Sequence, residues 1–569
     1  MKRLERRPAP APGEEMSTGA ILLLFIGLMV AMFMFSLNQT ILATALPTIV
    51  GELNGVDLML WVSTAFMLAS TVMMPIYGKI GDLFGRKPLF IFAIVMFMAG
   101  SLAAMIAQDM RLLILGRVLQ GIGGGGMMIL AQAIIAAVVP ARRRGKYMGI
   151  MGSVFAVSSV AGPLIGGWLT EGPGWRWAFA MNFPLGLFAI LCAVVFLRIP
   201  RTANATRPKV DGAGMALIAL FTSSVILASA WGGHQFAWTS PVILGLVALA
   251  LVAAVVFVLA ERRVSEPIIP LWLFRERNFI LCTIAGLTIG VAMFGVLSYM
   301  PTYLQMVHGI DATIAGFMMV PMMATMLVFG TVVGFVVEKT GRYKIYPVIG
   351  FVLIFASLVL MSLMQADTPA YWSIVHLAML GLGLGLTMQL LVLIVQNSFP
   401  VAVVGTATAS NNFFRQIGAT LGMAVIGSMF TERLMTQLAG ELPGAGGAGA
   451  ANRLTPEVVA GLPGPVHDLV VTAYNDALMP LFLWVSPLVL VGLVAVLLLE
   501  EKPLATTLEP EGDRDVIDLD DAAGRADAAR VDRAGDADAA VESEGADDDR
   551  ADDPHRRGPA QAAGVRAAD

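Results

Sequence analysis

Few polar side chains interrupt the long apolar stretches of this sequence, and those few are the first candidates for chemistry. Arg117 and Gln120 lie inside the apolar stretch 111–139. A guanidinium at the centre of a bilayer costs about 2.5–3.5 kcal/mol on insertion scales, so Arg117 is expected to face a cavity or a partner rather than lipid. The alternative interpretation is a structural role, in which Arg117 donates hydrogen bonds to neighbouring carbonyl groups.

A charged turn at residues 78–88 is the second candidate. It reads GKIGDLFGRKP. Its glycines permit a tight turn, and the carboxylate of Asp82 can cap a helix or pair with Arg86. Taken by itself, the segment is also consistent with a generic charged connection between two helices.

Motifs that would indicate an enzyme are absent from the sequence. There is no G-x-x-x-x-G-K-[ST] phosphate loop, and the glycine run at 121–126 has no following lysine, so it indicates close helix packing. Five histidines occur without an H-E-x-x-H motif. Cys192 and Cys282 both lie in apolar stretches and indicate no metal cluster or disulfide. We therefore expect no enzyme activity, no cofactor and no bound metal.

The composition requires a membrane around the chain. Of 569 residues, 57% are hydrophobic and 14% are charged, and the mean hydropathy is +0.77. Long apolar stretches recur with brief polar breaks, as in one large membrane domain. The charge is divided: residues 1–502 carry a net +7 and residues 503–569 a net −11. This acidic, Ala-rich end has too few apolar residues to fold.

Fourteen apolar stretches are long enough to cross a hydrocarbon core about 30 Å thick. The predicted spans are 19–47, 58–78, 88–107, 111–139, 147–170, 177–198, 212–231, 241–261, 279–301, 312–336, 347–365, 371–398, 406–430 and 477–500. With the N-terminus inside, connections on the inner side carry 22 Lys and Arg residues and those on the outer side carry 4. This asymmetry predicts that both termini are cytoplasmic.

These motifs together resemble the major facilitator superfamily. Its signature loop reads G-x-x-x-D-x-x-G-R-[RK], which residues 78–87 match, and a weaker copy follows the tenth span at Gly334, Glu338 and Gly341. The resemblance implies that Asp82 and Arg86 gate alternating access by locking two helical bundles together. The R-x-x-Q-G element at Arg117 is also similar to the superfamily, and there it implies proton coupling.

Further motifs resemble the drug:proton antiporters with fourteen helices. Residues 158–167 are similar to the antiporter motif G-x-x-x-G-P-x-x-G-G, with Ser158 replacing the first glycine. The matching positions are Gly162, Pro163, Gly166 and Gly167. Small residues spaced by four allow close helix contact, and Pro163 bends its helix. The segment W-R-W at 175–177 and the late N-N-F-F-R-Q at 411–416 are also similar to this family.

The resemblance implies an all-α major facilitator fold with two six-helix bundles and two extra helices. The predicted organisation is a cytoplasmic segment at 1–16, a first bundle at 17–198 and an insertion at 199–278 that contains spans 212–231 and 241–261. A second bundle follows at 279–500, including an outside loop at 431–476, and a disordered cytoplasmic tail occupies 501–569.

One departure concerns the coupling proton. The family usually has an Asp in the first span where this chain has Asn38, and an amide cannot titrate. No acid lies deep in any predicted span, so the residue that carries the proton is left open. His376 can titrate near neutral pH, although a His with satisfied partners between helices is the alternative interpretation.

We expect a multi-pass protein of the cytoplasmic membrane that exports lipophilic drugs or antibiotics in exchange for protons, a multidrug-efflux antiporter conferring antibiotic resistance. Its partners would be small lipophilic substrates, protons and the lipid bilayer, without nucleic acid, and it would be a monomer. The alternatives are a dedicated exporter of a lipid, siderophore or self-made antibiotic, and a transport-inactive receptor or scaffold. The predicted substrate cavity comprises Asn38, Gln39, Thr40, Gln120, Gln389, Asn397, Asn412 and Arg415.

Overall fold

The architecture is that of an all-helical membrane protein. A computed structural model describes residues 18–53, 55–197, 210–233, 235–441 and 456–506. Within these residues, fourteen helices are long and apolar enough to cross a membrane, which confirms the predicted number. The predicted cytoplasmic segment 1–16 and most of the predicted tail, 507–569, lie outside the described residues.

The fourteen helices are numbered in chain order. They are α1 (Gly19–Leu53), α2 (Met59–Phe84), α3 (Arg86–Met105), α4 (Met110–Val138), α5 (Ala141–Glu171), α6 (Trp177–Phe196), α7 (Gly212–Trp231), α8 (Pro241–Glu261), α9 (Arg277–His308), α10 (Ala312–Thr340), α11 (Ile345–Ser362), α12 (Tyr371–Asn397), α13 (Val404–Leu438) and α14 (Gly464–Leu497). Shorter helical segments are Val56–Leu58, Leu271–Arg275 and Pro456–Ala460.

The helices pack as two groups with an inserted pair. Helices α1–α6 pack against one another, and so do α9–α14. The groups meet mainly where α5 contacts α10 and where α2 contacts α13. The inserted α7 and α8 form a hairpin that contacts α2 and α13 through α7. Only Ile243, Ala250, Ala253 and Glu261 of α8 are buried, as expected for a helix that faces lipid.

The glycine run on α4 provides close packing, as the sequence predicts. An added Cβ at Gly121 would lie 2.5 Å from the carbonyl oxygen of Phe66 on α2, and one at Gly123 would lie 2.6 Å from the backbone nitrogen of Phe97 on α3. All five glycines of this stretch are buried, and Ile122 is half-buried. Helix α4 is therefore the centre of the first group, and its backbone lies against both neighbours.

Two segments differ from the predicted organisation. The stretch 431–476, expected to be a loop, is largely helical. The helix that contains the span α13 extends beyond Leu438 to Glu441, and α14 already begins at Gly464, while 442–455 lies outside the described residues. Residues 501–506, expected to belong to a free tail, pack against the helices instead. The ammonium group of Lys502 pairs with Glu276 at 2.8 Å, and the carbonyl oxygen of Ala505 accepts a hydrogen bond from the backbone N–H of Arg142 at 3.0 Å.

Candidate functional site

Arg117 on α4 lies fully buried among neutral acceptors. Its Nη1 donates to Asn38 Oδ1 at 2.5 Å and to Gln120 Oε1 at 2.9 Å. Its Nη2 donates to Gln39 Oε1 at 2.5 Å, and its Nε donates to the carbonyl oxygen of Val62 at 3.1 Å. None of these partners is a carboxylate. The positive charge is therefore stabilised by amide and peptide dipoles, which supports the structural interpretation and brings three predicted cavity residues together.

The network around Arg117 continues into the first bundle. Gln120 donates from Nε2 to the hydroxyl of Ser101 on α3 at 2.8 Å, and Asn182 on α6 donates to the same hydroxyl at 3.0 Å. The guanidinium also lies 4.2 Å from the ring centroid of Phe66, a cation–π contact. Arg117 thus holds α1, α2 and α4 together, and Gln120 extends this polar chain to α3 and α6.

The antiporter motif on α5 packs against α1. The hydroxyl of Thr40 donates to the carbonyl oxygen of Ser158 at 2.9 Å. An added Cβ at Gly162 would collide with the side chain of Thr40, and one at Gly166 would collide with that of Thr44. An added Cβ at Gly167 would meet nothing within 4 Å, and Pro163 is exposed. The motif therefore provides one small-residue face for α1 rather than four equivalent contacts.

We define the arginine-rich end of the molecule as the end that carries the connections after α2, α4, α8 and α10. Here the buried carboxylate of Asp82 accepts hydrogen bonds from Arg86 Nη2 at 2.8 Å and Nε at 3.2 Å. The same carboxylate accepts from the backbone N–H of Thr406, in the first turn of α13, at 2.7 Å. Arg86 also donates to the carbonyl oxygen of Val401 at 2.6 Å. The pair predicted from the signature loop therefore joins the two bundles.

Other cations at this end also cross between the bundles. Arg144 is buried and donates to the carbonyl oxygen of Gln396 at 3.3 Å. Lys146 pairs with Glu338, the acid of the weaker signature copy, at 3.0 Å. Arg142 donates to the carbonyl oxygens of Glu338 and Lys339, both at 3.2 Å. With the Asp82 contacts, these bonds form what we call the clamp.

A second polar contact between the bundles lies deeper, between α4 and α13. Asn412 donates from Nδ2 to Gln132 Oε1 at 2.9 Å, and its own Oδ1 accepts from Arg415 at 2.5 Å. Gln396 on α12 donates to the carbonyl oxygen of Gln132 at 3.4 Å. Asn412 and Arg415, both expected in the substrate cavity, thus contact each other. Gln389 instead faces Gly152 of α5, where its amide nitrogen would lie 3.1 Å from an added Cβ.

The opposite end of the molecule has a different character. In the parts of the chain that the structure describes, no side-chain hydrogen bond joins α1–α6 to α9–α14 at the end that carries the connections after α1, α3 and α5. An ion pair at this end, between Arg176 and Glu52 at 2.6 Å, lies within the first bundle. The two bundles are therefore held together by polar bonds at the arginine-rich end and at the Gln132–Asn412 contact.

Two predicted site residues lie away from this interface. Asn397 is at the arginine-rich end, where its Nδ2 donates to the carbonyl oxygen of Pro503 at 3.2 Å, because α12 ends at this residue. His376 packs between α11 and α12: its carbonyl oxygen accepts from Ser357 at 2.7 Å, and its ring stacks on Trp372 with centroids 5.9 Å apart. The structure thus gives His376 a packing environment within the second bundle.

Sequence reasoning missed the partners that complete these contacts. Gln132, Gln396 and Thr406 were not predicted, although all three are buried and bonded across or beside the bundle interface. Uncharged amides and hydroxyls in apolar spans are a weaker signal than a charged residue. A signal was nonetheless present for Gln132 and Gln396, since an amide in a spanning helix must find a partner.

Comparisons with known proteins agree with this geometry. The family model described as Major Facilitator Superfamily matches residues 28–423. The chain belongs to the major facilitator superfamily. An MFS-type transporter of Mycobacterium tuberculosis is 38% identical over 523 residues, which are 91% of this chain and 75% of that protein. The multidrug transporter protein MdtP of Bacillus subtilis is 37% identical over 412 residues, which are 72% of this chain and 75% of that protein.

The superfamily fold is also seen in a solved structure. The human organic anion transporter MFSD10 superposes with a TM-score of 0.56 at 13% identity, covering 84% of this chain and 98% of that one. At this identity the likeness concerns the fold alone. As a major facilitator protein, the chain is a membrane transporter.

Proposed function

We propose that this transporter exports lipophilic small molecules across the cytoplasmic membrane in exchange for protons, by rocking its two bundles between alternate states. The observation that carries the proposal is the distribution of polar bonds between the bundles. They close the arginine-rich end, while the described residues at the opposite end form none. Such one-sided closure is the arrangement that alternating access requires.

The direction of export depends on which face carries the clamp. We infer that the arginine-rich end is cytoplasmic, because Lys and Arg residues accumulate in cytoplasmic connections. The described state is then closed to the cytoplasm. The similarity to a multidrug transporter and the antiporter-like face of α5 support export of drug-like molecules.

Side-specific labelling tests this orientation. Arg143 and Asp367 are both exposed and lie at opposite ends, and the native Cys192 and Cys282 are buried, so they give little background. A membrane-impermeant maleimide applied to intact cells should label the Asp367→Cys variant and spare Arg143→Cys. Labelling of Arg143→Cys in intact cells, with Asp367→Cys spared, would reverse the orientation and with it the proposed direction.

Proton coupling rests on different residues from those usual in the family, since Asn38 cannot take up a proton. We infer that the titrating group of the described core is Asp82. Its carboxylate is buried and is stabilised by Arg86 and Thr406, and a proton on it would remove the charge that these donors stabilise. Protonation of Asp82 would thereby weaken the clamp and open the cytoplasmic side.

Transport itself is tested in cells that lack their own exporters. Cells expressing the chain should lose a preloaded lipophilic dye faster than cells with an empty vector, and a protonophore should abolish the difference. The Arg117→Ala variant should reach the membrane but lose efflux, because three amide acceptors lose their donor. Efflux that is equal with and without the chain, for a panel of drug-like dyes, would contradict the proposal.

A further inference from the structure

The inserted hairpin of α7 and α8 contains two buried acids side by side. Asp211 immediately precedes α7 and is 6% exposed; Glu261 ends α8 and is 3% exposed. Their carboxylates meet at Gly214, because an added Cβ on that glycine would collide with Asp211 Oδ2 and lie 3.1 Å from Glu261 Oε1. The two acids come from opposite ends of the hairpin sequence and close its base at the arginine-rich end.

In the described part of the chain, only one oxygen of each carboxylate accepts a hydrogen bond. Asp211 Oδ1 accepts from the backbone N–H of Gly214 at 2.8 Å, and Glu261 Oε1 accepts from that of Ile268 at 3.0 Å. The other oxygen of each group, Asp211 Oδ2 and Glu261 Oε2, is buried and has no hydrogen-bond partner in the described part of the chain. Two buried acceptors without a donor cost free energy as long as both carboxylates stay charged.

Among the described residues, the cation that acts on this pair from α2 is already engaged. Lys79 attracts the Glu261 carboxylate, but its ammonium group lies 2.7 Å from Glu266 of the connection after α8. The surroundings of Glu261 include apolar side chains, because Ile268, whose backbone N–H binds Glu261, belongs to a cluster with Phe413 of α13.

The geometry points to a proton-binding pair: we propose that the carboxylates of Asp211 and Glu261 share one proton. Two adjacent carboxylates in an apolar setting cannot both be charged without strong repulsion, and one shared proton removes the excess charge. A divalent metal fits poorly, since Ca²⁺ and Mg²⁺ take six or more oxygen ligands and no group of three acidic, His or Cys ligands occurs among the described residues.

The acid pair would make the strength of the clamp depend on pH, although neither acid forms a clamp bond. Lys79, which attracts Glu261, stands three residues before Asp82, so the acid pair acts on the helix that carries the clamp carboxylate. Loss of the shared proton leaves two negative charges in the base of the hairpin. Their repulsion would loosen α7 and α8 from α2 and α13, and would do so whether or not the substrate is a drug.

Infrared spectroscopy of the full chain in lipid nanodiscs tests the pair directly, because a protonated carboxyl absorbs apart from a carboxylate. The wild-type protein at neutral pH should show a carboxylic-acid C=O band that is lost on titration to alkaline pH. The band should be absent from both Glu261→Gln and Asp211→Asn, each of which breaks the pair. It should persist in Glu266→Gln and in the exposed control Asp367→Asn.

Three results would overturn the proposal. The first is a wild-type spectrum without the band. The second is a band that persists in both pair variants. The third is a metal effect: if a chelator lowers the melting temperature of the wild type, and Ca²⁺ restores it without a carboxylic-acid band, the pair holds a cation instead. Because the wild-type titration needs no substitution, it decides the matter even if one variant fails to fold.

Discussion

The carboxylate of Asp82 on α2 caps the first turn of α13 by accepting hydrogen bonds from both the backbone N–H and the hydroxyl of Thr406, at 2.7 and 2.9 Å. A helix N-terminus carries unpaired N–H groups and a partial positive charge, so a carboxylate there is favourable. Arg86 binds the other oxygen of the same group. One buried carboxylate thus joins the two bundles by capping α13, while an ion pair with Arg86 holds it in place within the first bundle.

Removing this charge should open the clamp. We expect Asp82→Asn to destabilise the closed arginine-rich end by about 3 kcal/mol, since breaking a buried pair leaves Arg86 without its counter-charge. The effect can be followed at Thr408, which is buried beside Gln396. In a Thr408→Cys background, Asp82→Asn should speed maleimide labelling from the arginine-rich end on the order of 100-fold.

The matched control for that experiment is Asp367→Asn, which removes the same charge from an exposed position. It should leave the labelling rate at residue 408 unchanged. Equal rates in the Asp82→Asn and Asp367→Asn proteins would mean that Asp82 does not hold the clamp.

Gly405 allows the clamp to close by bringing α13 against α2. An added Cβ there would lie 2.9 Å from the carboxyl carbon of Asp82. Gly405→Ala should therefore push the carboxylate away and speed labelling at residue 408 without changing any charge. Gly245→Ala on α8, where a Cβ would meet nothing within 4 Å, is the control. A Gly405→Ala protein that labels as slowly as this control would show that the close approach is not needed.

Asn38 accepts a hydrogen bond from Arg117 through its neutral amide oxygen. Two replacements distinguish this structural role from a role in taking up protons. Asn38→Leu leaves one donor of the buried guanidinium unpaired, which should cost about 1–3 kcal/mol and lower the melting temperature. Asn38→Asp keeps an acceptor and adds a titratable group, so it should retain stability but change the pH profile of efflux. Gln365→Glu, which adds an acid at an exposed position, should leave that profile unaltered. A pH profile identical in Asn38→Asp and wild type would contradict this expectation and show that an acid at position 38 does not enter the coupling path.

Residues 500–506 should matter more than the acidic stretch that follows them. The segment ties α14 to the clamp region, because Asn278 donates to the carbonyl oxygen of Glu500 at 2.9 Å and Asn397 donates to that of Pro503 at 3.2 Å. Deleting 507–569 should preserve efflux and melting temperature, whereas deleting 500–569 should lower both. Loss of function on the shorter deletion would favour the scaffold alternative, in which the acidic tail carries the role.

The sequence was sufficient to predict elements that depend on composition and local motifs. The fourteen spans follow from apolar length, and the packing role of the glycine run at 121–126 follows from the absence of side chains there. The Asp82–Arg86 pair could also be predicted, since both residues lie in one short motif. Each of these features depends on residues that are close together in the sequence or on the apolar surroundings of a membrane.

Contacts between distant segments could not be predicted in this way. The cap that Asp82 forms on α13 joins residues 324 positions apart, and a helix N-terminus leaves no side-chain signature at the partner position. Asn397 was expected in the cavity, but its amide donates to the carbonyl oxygen of Pro503 at the arginine-rich end. The rotation of a helix depends on its packing partners, which periodicity within one uniformly apolar span does not specify.

The central claim, proton-driven transport through a clamp formed by Asp82, is tested most directly by transport in proteoliposomes with imposed pH gradients. Purified wild-type and Asp82→Asn proteins would be reconstituted with a lipophilic dye outside and with the lumen either acidic or alkaline. We predict that wild-type vesicles accumulate dye only when the lumen is acidic, and that Asp82→Asn vesicles do not respond to the gradient. Accumulation that is the same for both signs of the gradient, or a response retained in Asp82→Asn, would contradict the account.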